Sequence, residues 1–158
     1  MLGLMLAAIL PGAVALADGR PASIVGRWQL NNSESEFLPN ETPPSELVMA
    51  ITQDDGNKFR WTVTVKMPDG ASGATHFDGA IDGKPYPVDG RPGNTSVFSW
   101  TAEGSLKQVS QSKAGIAVEI CSFSGSQGAA PPRRMTCNTR QTDSAGRAAS
   151  YLEVFDRL

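Results

Sequence analysis

The sequence predicts an all-β chain built as consecutive antiparallel hairpins, and three observations predict it. Apolar and polar residues alternate with a period of two in several short runs. Turn signals such as Asp69-Gly70, Glu103-Gly104 and Lys113-Ala-Gly115 separate those runs at short intervals. No stretch of the body carries the three-to-four-residue apolar spacing of a helix. The count is nine candidate strands and no helix. The 158 residues suffice for one domain.

Residues 1–17 carry no charge, and 14 of them are hydrophobic. The run Met1-Leu-Gly-Leu-Met-Leu-Ala-Ala-Ile-Leu10 is broken by Pro11-Gly12, and Ala15-Leu16-Ala17 fits a small-x-small cleavage pattern. The expected domains are therefore a signal peptide at 1–17 and one folded domain at 18–158, with the mature chain starting at Asp18. A membrane anchor is the alternative. It sits at the short limit for a span and is interrupted by Pro-Gly. No Cys stands at the cleavage site, so a lipoprotein is not expected. The rest of the chain is polar, with 16 Gly and 11 Pro, which excludes a multi-pass membrane protein. A net charge of −2 without clustered Lys and Arg gives no nucleic-acid footprint.

The first clear hairpin joins Glu46–Gln53 to Lys58–Lys66 across Asp54-Asp55-Gly56. A three-residue loop with left-handed Gly56 sets Ile51 opposite Phe59, Met49 opposite Trp61 and Leu47 opposite Val63. Pro68-Asp69-Gly70 then pairs Met67 with Ala71, which puts Phe77 opposite Trp61. His76, the single histidine, falls with Asp78 on the outward face and reads as surface rather than as an acid–base pair. Residues 78–93 hold three Asp-Gly pairs and three prolines and read as tight turns; their spacing fits no calcium loop. Residues 31–45, with three prolines, read as a surface loop, the alternative being a flap over one end of the fold. Downstream, Trp100 meets Leu106, Phe98 meets Gln108 and Val97 meets Val109. A three-residue turn at Lys113-Ala-Gly115 would then set Ser112 against Ile116 and Gln108 against Ile120.

Cys121 and Cys137 are equidistant from the centre of the flexible 125–132 loop, so they should face each other on neighbouring strands. In an exported chain an even pair implies a disulfide, expected here on the outer face. In that register the inner face includes Trp61, Phe98, Trp100, Gln108, Ile116, Val118, Ile120, Asn138 and Arg140. An unpaired arginine inside is costly. Arg140 would hold the carboxylate of an apolar ligand, pair with Glu153, or face solvent at the end of the last strands.

The segment Gly26-Arg27-Trp28-Gln29-Leu30-Asn31 resembles the Gly-x-Trp opening of the lipocalins and fatty-acid-binding proteins, the calycin barrels. Glu153-Val-Phe-Asp-Arg157 is similar to their closing strand. Ser35, Phe37, Phe77-Asp-Gly79 and Tyr86-Pro-Val88 extend the likeness to small exported bacterial barrel proteins without an assigned activity. The resemblance implies a single antiparallel up-and-down β-barrel, lipocalin-like, of about eight to ten strands. It also implies that Arg157 packs over Trp28 near Gly26 to close one end. The lipocalin Thr-Asp-Tyr element is absent, Thr142-Asp143-Ser144 standing in its place.

These readings lead to an exported protein, periplasmic or extracellular, that binds a small, partly apolar molecule without catalysis. Its expected lining is Trp61, Phe98, Trp100, Gln108, Asn138 and Arg140. Neither metal nor organic cofactor is expected, since one His and a disulfide pair leave too few ligands and no phosphate-binding Gly loop occurs. Two other readings stay open: an envelope interaction module with a filled core, and an enzyme acting at the barrel mouth.

Overall fold

The computed structural model describes residues 19–55, 57–125 and 130–158. The expected signal peptide, the Asp18 start, Gly56 and the tip of the 125–132 loop lie outside the described residues. Ten strands form a closed antiparallel barrel in sequence order, β1 pairing with β10 to shut it. They are β1 Gly26–Leu30, β2 Glu46–Asp54, β3 Phe59–Lys66, β4 Ser72–Gly79, β5 Pro85–Asp89, β6 Thr95–Trp100, β7 Leu106–Ser112, β8 Gly115–Ser124, β9 Arg134–Asp143 and β10 Ala148–Arg157. No described residue is helical, and no described helix is long and apolar enough to cross a membrane. The all-β up-and-down barrel expected from the sequence is what forms.

Strand β5 is the tenth, inside the segment expected to be turns only. Pro85 and Pro87 lack the N–H that a central strand needs. Its pairing is correspondingly short: Phe77 with Val88 on one side and Tyr86 with Ser96 on the other. The β3–β4 and β6–β7 registers are as expected, with Trp61 opposite Phe77 and Phe98 opposite Gln108. His76 is exposed and bonded to Thr62 (2.9 Å), while Asp78 pairs with Arg60 (2.7 Å), so the two do not act together.

Two registers differ from expectation. In β2–β3, Ile51 pairs with Trp61 and Met49 with Val63. The Asp55 carboxylate accepts from the N–H groups of Asn57 and Lys58, which lengthens the loop, and a bulge between Ile51 and Gln53 restores the parity. The displacement is even, so the apolar faces stay inside. In β7–β8 the slip is odd. Ser112 pairs with Gly115 across a two-residue turn in which Ser112 Oγ accepts from Ala114 N (3.1 Å), and Gly115 lies so close to the Thr142 carbonyl that no side chain fits there. A one-residue slip exchanges the faces of a strand. Ile120 (42% exposed) and Val118 therefore face outward, Ile116 (48% exposed) lies at the rim of the mouth, and Glu119 and Cys121 face inward. Cys121 and Cys137 do face each other and are bonded, but inside the barrel rather than outside it.

The seam between β1 and β10 explains the opening and closing motifs. Trp28 is fully buried, donates its indole N–H to the Ile24 carbonyl (3.0 Å), and carries the Arg157 guanidinium over its ring at 4.3 Å. Arg157 also donates to the carbonyls of Pro132 and Val25. Its Nη2 is buried with no acceptor among the described residues, so the electron-rich indole face is what compensates it. Gly26 is required because a Cβ there would overlap that guanidinium. Residues 31–37 are not a free loop. Asn31 and Glu36 continue the pairing along β10, and Ser35 Oγ donates to Asn31 O and accepts from Val154 N. Asp156 gathers Asn31 Nδ2 and Arg134 Nε. Phe37 packs against the core.

Candidate functional site

Near the Trp28 end the interior is filled by Trp28, Leu30, Met135 and Phe155. Towards the opposite end it opens into a cavity of about 480 Å³. The mouth is rimmed by the β5–β6 loop (Arg91, Asn94), the β7–β8 turn (Ser112, Ala114) and the end of β9 (Thr142, Asp143).

The two walls differ in chemistry. Strands β2, β3 and β6 supply Leu47, Met49, Ile51, Trp61, Val63 and Phe98. Behind them an aromatic cluster holds the wall rigid: Trp61 stacks on Phe77 at 5.8 Å, and Phe98 meets Phe77 edge-on at 4.7 Å. Strands β7 to β10 supply polar groups at matched heights, because each inward residue pairs laterally with the next. Gln108, Glu119, Thr139 and Tyr151 form one such rung, and Leu106, Cys121, Cys137 and Glu153 the rung below it.

The polar wall is partly organised within itself. Gln108 Nε2 donates to Ser96 Oγ (3.0 Å) and Ser110 Oγ (2.8 Å), leaving its carbonyl oxygen without a donor among the described residues. Thr139 donates to Glu119 Oε1 at 3.1 Å. Burial pushes the Glu119 carboxyl above its usual range, with the Thr139 bond opposing. Burial first, then the charges of Glu119 and Glu41, pushes Glu153 up to about 7, with Arg91 opposing. No hydrogen bond offsets that rise. Tyr151 is raised to about 12 by burial and then by Glu153. At neutral pH the cavity thus holds two carboxyls that resist ionising together.

Of the residues expected to line a ligand site, Trp61, Phe98 and Gln108 line this cavity. Trp100 is packed on Phe123 at 6.1 Å with the Arg20 guanidinium 5.5 Å from its ring, and is not part of the lining. Asn138 and Arg140 are corrected: the odd slip at β7–β8 turns both to the exposed outer face, where Arg140 pairs across from Val118. Arg140 cannot meet Glu153, which is inside. Glu119, Thr139, Tyr151 and Arg91 are lining residues that the sequence reading does not name, and Glu153 appears there only as an internal partner for Arg140. The cysteines carried the signal for them. Cys is among the most buried residue types, and placing Cys121 inside places Glu119 inside as well.

Glu119 and the two sulfurs lie within 4.8 Å of one another. Both sulfurs are spent in the disulfide, so the group lacks the thiolates that a metal site of this composition needs.

No family model matches the chain, and no curated protein matches it in sequence. Solved structures do match. The wild-type fluorescent protein UnaG superposes with a TM-score of 0.53 at 16% identity, over 85% of this chain and 97% of that one. A mutant of UnaG gives 0.56 at 15% identity, over 85% and 96%. At this identity the likeness shows the fold alone, a closed antiparallel up-and-down β-barrel.

Proposed function

We propose that this protein is an exported, non-catalytic binder of a small, partly apolar molecule held inside the barrel. The observation that carries the reading is the cavity of about 480 Å³, open at one end, with an apolar wall facing a polar one. That volume lies within the range of small-molecule sites, which are mostly apolar with a few convergent polar groups. Export is supported by the uncharged apolar run before Asp18 and by the Cys121–Cys137 disulfide, which belongs to an oxidising compartment. The exported bacterial barrel proteins that the motifs resemble are consistent with a periplasmic or extracellular place. A carboxylate on the ligand loses its support, because Arg140 points away from the cavity.

Titration with the neutral apolar dye Nile red tests the reading. Saturable emission at one dye per chain is expected, lost in Ala117→Trp, which fills the cavity from its own wall. Absence of saturable emission from the wild-type protein overturns the proposal.

A further inference from the structure

We infer that the ligand carries a positively charged nitrogen, and that Glu119 and Glu153 bind it while Trp61 and Phe98 hold its apolar body. This inference rests on the cavity-binding reading and names the ligand class.

The charge inventory of the cavity gives the direction. Its described lining contains three carboxyl groups, Glu119, Asp143 and Glu153, and one cation, Arg91. Arg91 belongs to the loop at the mouth, while the glutamates belong to the wall facing the aromatic cluster. An anionic ligand seated against Trp61 would bring its charge to the carboxyl side. A neutral ligand would leave the two acids competing for ionisation in a poorly solvated space. An ammonium relieves both problems, because it lets the carboxyls ionise and supplies the donors that they lack. Glu119 has one donor, Thr139, and no hydrogen bond contributes at Glu153.

The neighbouring groups support the geometry. Glu119 and Glu153 stand on β8 and β10, one rung apart, with β9 between them. Thr139 and Tyr151 flank them on the same rung as Glu119, and the Gln108 carbonyl adds a neutral acceptor beside them. Acceptors therefore dominate this wall, which suits a ligand that donates. The opposite wall offers an indole and a phenyl face, and aromatic faces also favour a cationic head nearby. A primary or secondary amine on a fused-ring or branched apolar body matches both walls.

The test displaces Nile red with three probes of one shape: naphthylmethylamine, naphthylmethanol and naphthoate. The expected result at pH 8 is displacement by the ammonium at concentrations at least about tenfold below the alcohol, since a charge-assisted bond is worth that much or more, with naphthoate weakest. In the Glu119→Gln/Glu153→Gln double variant the ammonium and the alcohol should compete equally. The wild-type protein gives a second readout that needs no variant. The groups facing Glu153 are Glu119, Tyr151, Glu41 and Arg91. As pH falls from 8 to 5 the acids take up protons, so the ammonium's advantage should shrink while the probe itself stays charged. An ammonium no better than the alcohol, or naphthoate as the best competitor, overturns the inference while Nile red binding keeps the cavity reading intact. Failure of Nile red to bind removes the cavity reading itself.

Discussion

Replacing Glu153 by glutamine turns a buried acid into a neutral amide of nearly the same shape. Glu153 is raised from its ordinary 4.5 to about 7, chiefly by burial. A carboxyl whose folded pKa lies above its unfolded value binds its proton more tightly in the fold. Its contribution to stability is therefore fully present below pH 4.5 and is lost as pH rises to 7. At 1.36 kcal/mol per pH unit, the loss from Glu153 amounts to about 3 kcal/mol. Asp55, Asp82, Asp143 and Asp156 are all lowered by their hydrogen bonds and so act below this window. Glu119 and Asp54 are raised by burial and act with the same sign as Glu153. Urea unfolding at intervals between pH 4.5 and 8 measures the effect. The wild-type protein should lose stability across this range, and Glu153→Gln should remove about 3 kcal/mol of that loss. A wild-type stability that is flat or rising over the interval, or equal slopes for the two proteins, refutes the placement of Glu153 in a poorly solvated wall.

Other outcomes follow from the same geometry. Reduction of Cys121–Cys137, which encloses a separation of 16 residues, should cost about 3 kcal/mol of unfolding free energy, measured with and without reductant. Gly26→Ala should push Arg157 off Trp28 and lower stability by at least about 2 kcal/mol, seen as a fall in Tm, because it strains the seam that closes the barrel. Arg140→Ala should leave Nile red affinity unchanged, since its side chain lies outside the barrel; a several-fold loss would place it back in the lining.

Much of the barrel is legible in the sequence because its hairpins are short and half-buried. Where a tight turn joins two alternating runs, as at Met67–Ala71 and Thr101–Ser105, the hydrophobic pattern selects one register and the chain adopts it. The opening and closing motifs also speak clearly, since Gly26, Trp28, Asn31, Ser35, Asp156 and Arg157 all serve one seam. The polar wall is where pattern fails. Ile116, Val118 and Ile120 alternate as a core-facing strand would, yet Val118 and Ile120 lie outward and Ile116 reaches only the rim of the mouth. The face opposite them carries Ala117, Glu119 and Cys121. Burial of a glutamate in a cavity wall runs against the rule that reads apolar as inside, so the rule assigns that strand the wrong face. Strand β5 is hidden for another reason, because its two prolines signal turns and its pairing on either flank is brief.

A ligand inside the barrel would sit between the aromatic wall and the glutamates. Amide chemical-shift mapping during titration with naphthylmethylamine tests this placement most directly. Saturable shifts are expected at inward positions around Trp61, Phe98, Gln108, Glu119, Thr139 and Glu153. Shifts confined to the outer face, around Val97, Val109, Val118 and Ile120, would instead identify a filled barrel that works through its surface.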